Sequence, residues 1–354
     1  TSLNYSKRVA YLALNIGKAL NLKPEEMSDL CSYSLVHSIG LLNTKNISKE
    51  YCESSNDIAN SLPFLVEQKD ILKYQNEYYD GSGLFGLKSD EIPLLSQILS
   101  FAITVENKFD LSSLNAKSRT EIIEFVEKNK EKLFSKEIVE IFLEISSKIS
   151  FWLDLKNENE ILYFIFANLH DFTKIIKFED LLKITLKIYL VSDENSKLIE
   201  YSEKMVDFYK FEHKDKYTFL IATTLCKIGK LFIPLEIINK STTLEDYEYE
   251  EIKSYPYYTN RVLNNIMGFN DINSWASKVQ ERCNNEGYPL EIGAKDLSLK
   301  DRLIAILIAY DSLRTTKSYR SGYSHEKSIE ILKEMAKKGE LDGSIVEDLN
   351  NTLK

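Results

Sequence analysis

The sequence predicts an all-α fold of two tandem helical bundles joined by a helical spacer, and three observations predict it. Only 12 glycines and 6 prolines interrupt 354 residues, so long stretches run without the residues that break helices. Apolar side chains in those stretches recur at helical spacing, as in Val9, Leu12, Ala13, Ile16, Ala19 and Leu20. The chain also repeats itself. Four landmarks of the first half return in the same order in the second, the signature of a duplicated structural unit.

Helix boundaries are written locally. Asn21-Leu22-Lys23-Pro24 ends one helix and opens the next, with Glu25 and Glu26 placed to meet the positive N-terminal end. Ser298-Leu299-Lys300-Asp301 has the form of an N-cap before another apolar run. The repeat begins with Tyr5-Ser6 and Tyr201-Ser202, each opening an amphipathic helix. Ser38-Ile39-Gly40-Leu41 is echoed by Lys227-Ile228-Gly229-Lys230, a glycine following an apolar helix where the chain must turn. Glu77 with Asp80-Gly81-Ser82-Gly83 is matched by Glu281 with Asn284-Asn285-Glu286-Gly287. A helix follows in both halves, expected over 94–108 and 299–313. This places the first bundle at 1–155, the spacer at 156–184 and the second bundle at 185–354.

Composition removes several function classes. With 45 basic against 54 acidic residues and a net charge of -9, the chain lacks the dense positive charge that phosphate-backbone binding requires, so no nucleic acid partner is expected. The most apolar runs, 161–169 and 303–313, fall short of the roughly 20 residues needed to cross a bilayer, and no signal peptide is visible, so no membrane partner is expected. Cys31, Cys52, Cys226 and Cys283 are scattered without a CxxC pair, which fits a reducing cytoplasm. The first residues already sit inside a helical pattern. That pattern leaves open a longer protein with a sensor or receiver domain upstream.

In the second half, Cys226-Lys227-Ile228-Gly229-Lys230-Leu231-Phe232-Ile233-Pro234 resembles the HDIGK…IP segment of HD-GYP domains. Tyr255-Pro256-Tyr257-Tyr258-Thr259 is similar to their HPxxT, and Gly287-Tyr288-Pro289 to the GYP itself. Ala309-Tyr310-Asp311-Ser312-Leu313, Ser318-Tyr319-Arg320 and Gly339-Glu340-Leu341-Asp342 resemble the DVFDAL…RPYR stretch and the closing G-x-L-D. The first half carries a thinner likeness in 5–10, 37–40, 80–83 and 91–94. The resemblance implies an HD-domain-like helical bundle that, in active members, holds two or three metal ions and hydrolyses cyclic dinucleotides, chiefly cyclic di-GMP. Closely spaced metals would there polarise the phosphate and lower the pKa of a bridging water.

Matched position by position, the family's ligands are missing. In the second half Tyr201, Cys226, Lys227, Tyr255, Val279, Gln280 and Ile308 stand where ligands would be. In the first half the places fall to Tyr5, His37, Ser38, Gln75, Asn76 and Ile103, and the segment around Pro63 aligns ambiguously without a histidine. The chain has four histidines, His37, His170, His213 and His325, too few for two imidazole-rich sites. Lys227 puts a cation and Ile308 an alkyl group where ligands belong, which opposes a metal ion. No metal and no cofactor are therefore expected.

Several residual candidates also have plainer readings. His37 at the end of an apolar helix reads as a hydrogen-bonded core residue. His170-Asp171 reproduces the HD dipeptide, but outside the Ile-Gly context. Cys226 reads as a buried inert thiol rather than a nucleophile. Lys230, Lys317 and Arg320 match positions near the family's phosphate-binding face, with solvated surface charge as the plain alternative. Tyr288 belongs to the GYP loop, where a retained turn is the plain alternative. Tyr5, Tyr201 and Tyr255 are expected to fill volume left by metals and close the core.

These readings lead to a catalytically inactive signalling or regulatory protein that acts through a protein partner, an upstream sensor domain or a nucleotide. Two alternatives stand beside it: a metal-free receptor for cyclic di-GMP or another cyclic dinucleotide on Lys230, Lys317, Arg320 and Tyr288, and a residual metal-dependent cyclic di-GMP phosphodiesterase. A homodimer through the helical spacer is a further expectation.

Overall fold

The computed structural model describes residues 4–353 except 43, 45, 67, 193–195, 239, 241 and 317–319. Among them the regular structure is helical, with no named strand, so the chain has the all-α fold its periodicity predicts. It divides into two compact units, Thr1–Ile175 and Ile176–Lys354, each with its own apolar core.

In the first unit the helix Tyr5–Ala19 is buried nearly all round: Val9, Leu12, Ala13 and Ile16 are joined by Tyr11 and Leu14. A helix apolar on most of its circumference lies at the centre of a bundle, and this one packs against Pro24–Val36, Leu94–Phe109 and Glu158–Asn168. In the second unit Leu299–Arg314 is buried through Leu303, Ile304, Ile306 and Leu307. Its N-terminus is fixed by a capping box at the expected helix start: the Asp301 amide donates to Ser298 Oγ at 3.3 Å and the Ser298 amide donates to Asp301 Oδ2 at 2.8 Å. The stretch 156–184 is shared between the units. Glu158–Asn168 buries Ile161 and Ile165 in the first core, whereas Phe178–Ser192 places Tyr189 in the second.

The repeat is visible in how backbone meets backbone. A Cβ on Gly40 would fall 2.4 Å from the Tyr51 carbonyl oxygen, and one on Gly229 would fall 1.9 Å from that of Tyr255. Both amides donate to a hydroxyl on the same neighbouring helix, Gly40 to Ser55 Oγ at 3.0 Å and Gly229 to Thr259 Oγ1 at 3.1 Å. Tyr51 and Ser55 are thus the first unit's counterparts of Tyr255 and Thr259. This resolves the segment that sequence matching left around Pro63.

Both units also share a buried carboxylate. Glu77 accepts from the amides of Phe85 and Leu87 at 2.6 and 2.8 Å, and Glu281 from those of Leu290 and Ile292 at 2.8 and 3.1 Å. Each glutamate pins the loop that follows it by satisfying two amides that no helix serves. Gly83 and Gly287 pass so close to the Cα atoms of Glu77 and Glu281 that a Cβ would clash at 2.5 and 2.4 Å. That close approach explains the glycine at both positions.

Candidate functional site

In the second unit the motif residues gather around a cavity of about 310 Å³. Lys227 and Lys230 reach it from the turn that follows the helix His213–Leu225. Gln280 and Arg282 come from the loop after Asn270–Ser277, and Ile308 from Leu299–Arg314. Tyr255 and Tyr288 complete its polar wall. Tyr255 was expected, with Tyr5 and Tyr201, to fill volume left by metals. Tyr201, Tyr255 and Ile308 are all buried in the second core, and Tyr255, whose hydroxyl accepts from Gln280 Nε2 at 2.8 Å, also lines the cavity with Ile308. Tyr201 lies elsewhere, its ring 5.0 Å from that of Tyr310 in an edge-on contact, and it lines a separate cavity of about 460 Å³ with Lys197 and Arg314.

Hydrogen bonds order the polar wall. Arg282 Nη1 donates to the Glu281 carbonyl at 2.8 Å and Nη2 to Gln280 Oε1 at 3.1 Å, and Gln280 in turn donates to Tyr255. Burial, then the nearby Cys226 thiol, raises the Tyr255 phenol well above its ordinary pKa. Burial, then Tyr249, pushes Tyr288 up to about 12. Both phenols therefore remain neutral hydroxyls at physiological pH. Lys227 Nζ lies 3.5 Å from Asp311 Oδ2, and Asp311 also accepts from Ser196 Oγ at 2.7 Å and the Lys197 amide at 3.0 Å. Lys230 Nζ stands 5.5 Å from the centre of the Tyr255 ring, a cation against an aromatic face.

The other predicted residues fall away from this wall. Cys226 is fully buried and its thiol donates to the Thr223 carbonyl at 3.0 Å, and Val279 is packed in the core. Arg320 donates to the carbonyls of Ser312 at 2.7 Å and Leu313 at 3.1 Å while stacking on Tyr323, so its guanidinium serves the end of Leu299–Arg314. Lys317 lies outside the described residues.

The corresponding region of the first unit has a different composition. His37 is buried, its Nδ1 lies 2.7 Å from the Ser34 carbonyl, and burial lowers its pKa to about 4. Its carbonyl accepts from Tyr51 Oη and Gln75 Nε2 at 2.9 and 3.1 Å. Tyr5 lies against the His37 ring at 5.4 Å and donates to Asn107 Oδ1 at 2.8 Å. The Cys52 thiol donates to Asn76 Oδ1 at 3.4 Å, Ile103 is core, and Ser38 is half-buried. Where the second unit has Lys227, Lys230 and Arg282, the repeat places Ser38, Leu41 and Tyr78.

The metal ions that the resemblance implies do not fit either set of residues. Among the described residues no three of His, Cys, Asp and Glu come together as a ligand group, and in the second unit an ammonium and a branched alkyl chain face the space where ligands would converge.

An HD domain family model matches residues 1–134 and 178–345. The chain belongs to the HD domain family. It is 20% identical to 3'3'-cGAMP-specific phosphodiesterase 1 of Vibrio cholerae over 97% of this chain and 85% of that protein. It is 30% identical to cyclic di-GMP phosphodiesterase PdeB of Borreliella burgdorferi over 32% of this chain and 30% of that one. The crystal structure of a cyclic GMP-AMP specific phosphodiesterase of V. cholerae, V-cGAP3, superposes with a TM-score of 0.64 at 18% identity, covering 99% of this chain and 92% of that one. These relatives are named for hydrolysis, and they overturn the expectation of a catalytically inactive regulatory protein. That expectation rested on ligand identity at single positions, whereas the likeness to a phosphodiesterase runs through both units. No helix among the described residues is long and apolar enough to cross a membrane.

Proposed function

We propose that this HD domain chain, in its HD-GYP-like second unit, is a phosphodiesterase whose substrate is a 3'3'-cyclic dinucleotide. The observation that carries the reading is the match over 97% of the chain to a 3'3'-cGAMP-specific phosphodiesterase. The cavity has chemistry to suit. Lys227, Lys230 and Arg282 face a space lined otherwise by neutral side chains, and cationic side chains aimed at phosphoryl oxygens stabilise the charge that builds there during transfer. A second cavity, of about 780 Å³, shares Gln280, Arg282 and Tyr288 with the first. The two offer a small cationic chamber beside a wider one in which Glu250, Glu286, Glu291 and Glu340 outnumber Lys253 and Arg282, both within the range of roughly 300–1,000 Å³ usual for ligand sites.

The test is product analysis. Purified chain incubated with 3'3'-cGAMP or cyclic di-GMP, with and without Mn²⁺, is expected to yield the linear dinucleotide, and Arg282→Gln is expected to abolish it. Recovery of the cyclic compound unchanged under every condition overturns the reading.

A further inference from the structure

We infer that the cavity of the second unit holds a phosphate group on Lys227, Lys230 and Arg282 without a divalent metal, the lysine ammonium supplying positive charge where the family's chemistry would use a metal ion. Its choice of nucleotide rests on the function proposed above. Its anion chemistry does not.

The charge lining is the first support. The chain carries more acids than bases, 54 to 45, yet every charged residue described on the wall of this cavity is a cation. Two come from one turn, and the third lies more than fifty positions further along the sequence. The fold therefore brings them together. Lys227 is already balanced in part by Asp311, and phosphate is the anion that lysine and arginine side chains engage with charge-assisted hydrogen bonds.

The anchoring is the second. Lys227 is held towards Asp311, 3.5 Å away, and that carboxylate is itself shared with Ser196 and the Lys197 amide. Arg282 is held in place by the Glu281 carbonyl and Gln280. Positioned donors lose less conformational freedom on meeting a ligand than mobile surface ones. The third support is the contrast between the units, since Ser38, Leu41 and Tyr78 put no cation at the matched places.

Isothermal titration of the whole chain in EDTA, against 3'3'-cGAMP and separately against inorganic pyrophosphate, tests this. Binding is expected without metal, unchanged by adding Mn²⁺, and at least about tenfold weaker in Lys230→Gln and in Arg282→Gln, a change easily read as heat. Circular dichroism on each variant shows whether it is folded. The two substitutions are independent, so one misfolded variant leaves the other to decide. Binding that needs Mn²⁺ overturns the inference and leaves the function standing. Pyrophosphate bound in EDTA with 3'3'-cGAMP ignored supports the inference and counts against the function. Failure of both anions to bind in EDTA, or wild-type affinity in both folded variants, overturns the inference.

Discussion

Lys227 and Asp311 form an ion pair across the second unit, the ammonium 3.5 Å from a carboxylate that is 2% exposed. The lysine stands where the resemblance puts a metal-bridging carboxylate, so the aspartate is balanced by a covalently attached cation. Removing one partner of a buried pair leaves the other charge uncompensated. Lys227→Met is expected to destabilise the second unit by about 2 kcal/mol, less than a fully orphaned charge because Ser196 and the Lys197 amide still serve Asp311. Each unit has one tryptophan, Trp152 and Trp275. Urea unfolding followed by Trp275 in a Trp152→Phe background reads the second unit by itself.

Glu281 makes a second prediction. Its two carboxylate oxygens receive the amides of Leu290 and Ile292, which Glu281→Ala leaves without these acceptors, at a cost of about 1–3 kcal/mol because both lie in a half-open loop. Hydrogen exchange is expected to accelerate at those two amides before it changes elsewhere. Glu77→Ala should act likewise on Phe85 and Leu87. Unchanged protection would show that the carboxylates do not hold these loops.

The first unit should be acid-sensitive through His37. Burial holds its pKa at about 4, below the ordinary value near 6.5, so between these values the unfolded chain binds a proton that the folded chain refuses. Stability is complete above about pH 6.5 and falls as pH drops towards 4, by up to about 3 kcal/mol. Unfolding followed by Trp152 in a Trp275→Phe background, from pH 7 to pH 4, is expected to show this fall, and His37→Gln to remove most of it. An identical pH dependence in the variant contradicts the assignment.

Arg320 should separate structure from binding. Its guanidinium donates to the carbonyls of Ser312 and Leu313 at the end of Leu299–Arg314, where a cation also meets the negative end of the helix. Arg320→Ala is expected to speed amide exchange in the last turn and lower stability by about 1 kcal/mol, with nucleotide affinity within about twofold of wild type. A larger loss of affinity would return Arg320 to the binding site.

The fold was legible because helical spacing and the rarity of glycine and proline both speak locally, and the repeat because Gly40 and Gly229, like Glu77 and Glu281, occupy places where backbone contact permits little else. The equivalence of Tyr51 with Tyr255 was hidden, since only an aromatic ring and a hydroxyl survive in Tyr51-Cys52-Glu53-Ser54-Ser55. Arg282 was missed although it follows the matched Gln280-Glu281 pair directly. Its meaning depends on facing Lys227 and Lys230 across a cavity, a relation that linear order does not express. Tyr255 is buried in the second core, as its volume leads one to expect, and its hydroxyl also meets Gln280 at the cavity. Lys317 lies outside the described residues.

The most direct measurement is a crystal structure of the whole chain with 3'3'-cGAMP. The account predicts a phosphate of the ligand within hydrogen-bond distance of Lys230 and Arg282 in the second unit, with the remainder extending past Tyr288 into the adjoining cavity. A cyclic dinucleotide bound only in the first unit, or on the surface away from Arg282, would contradict it.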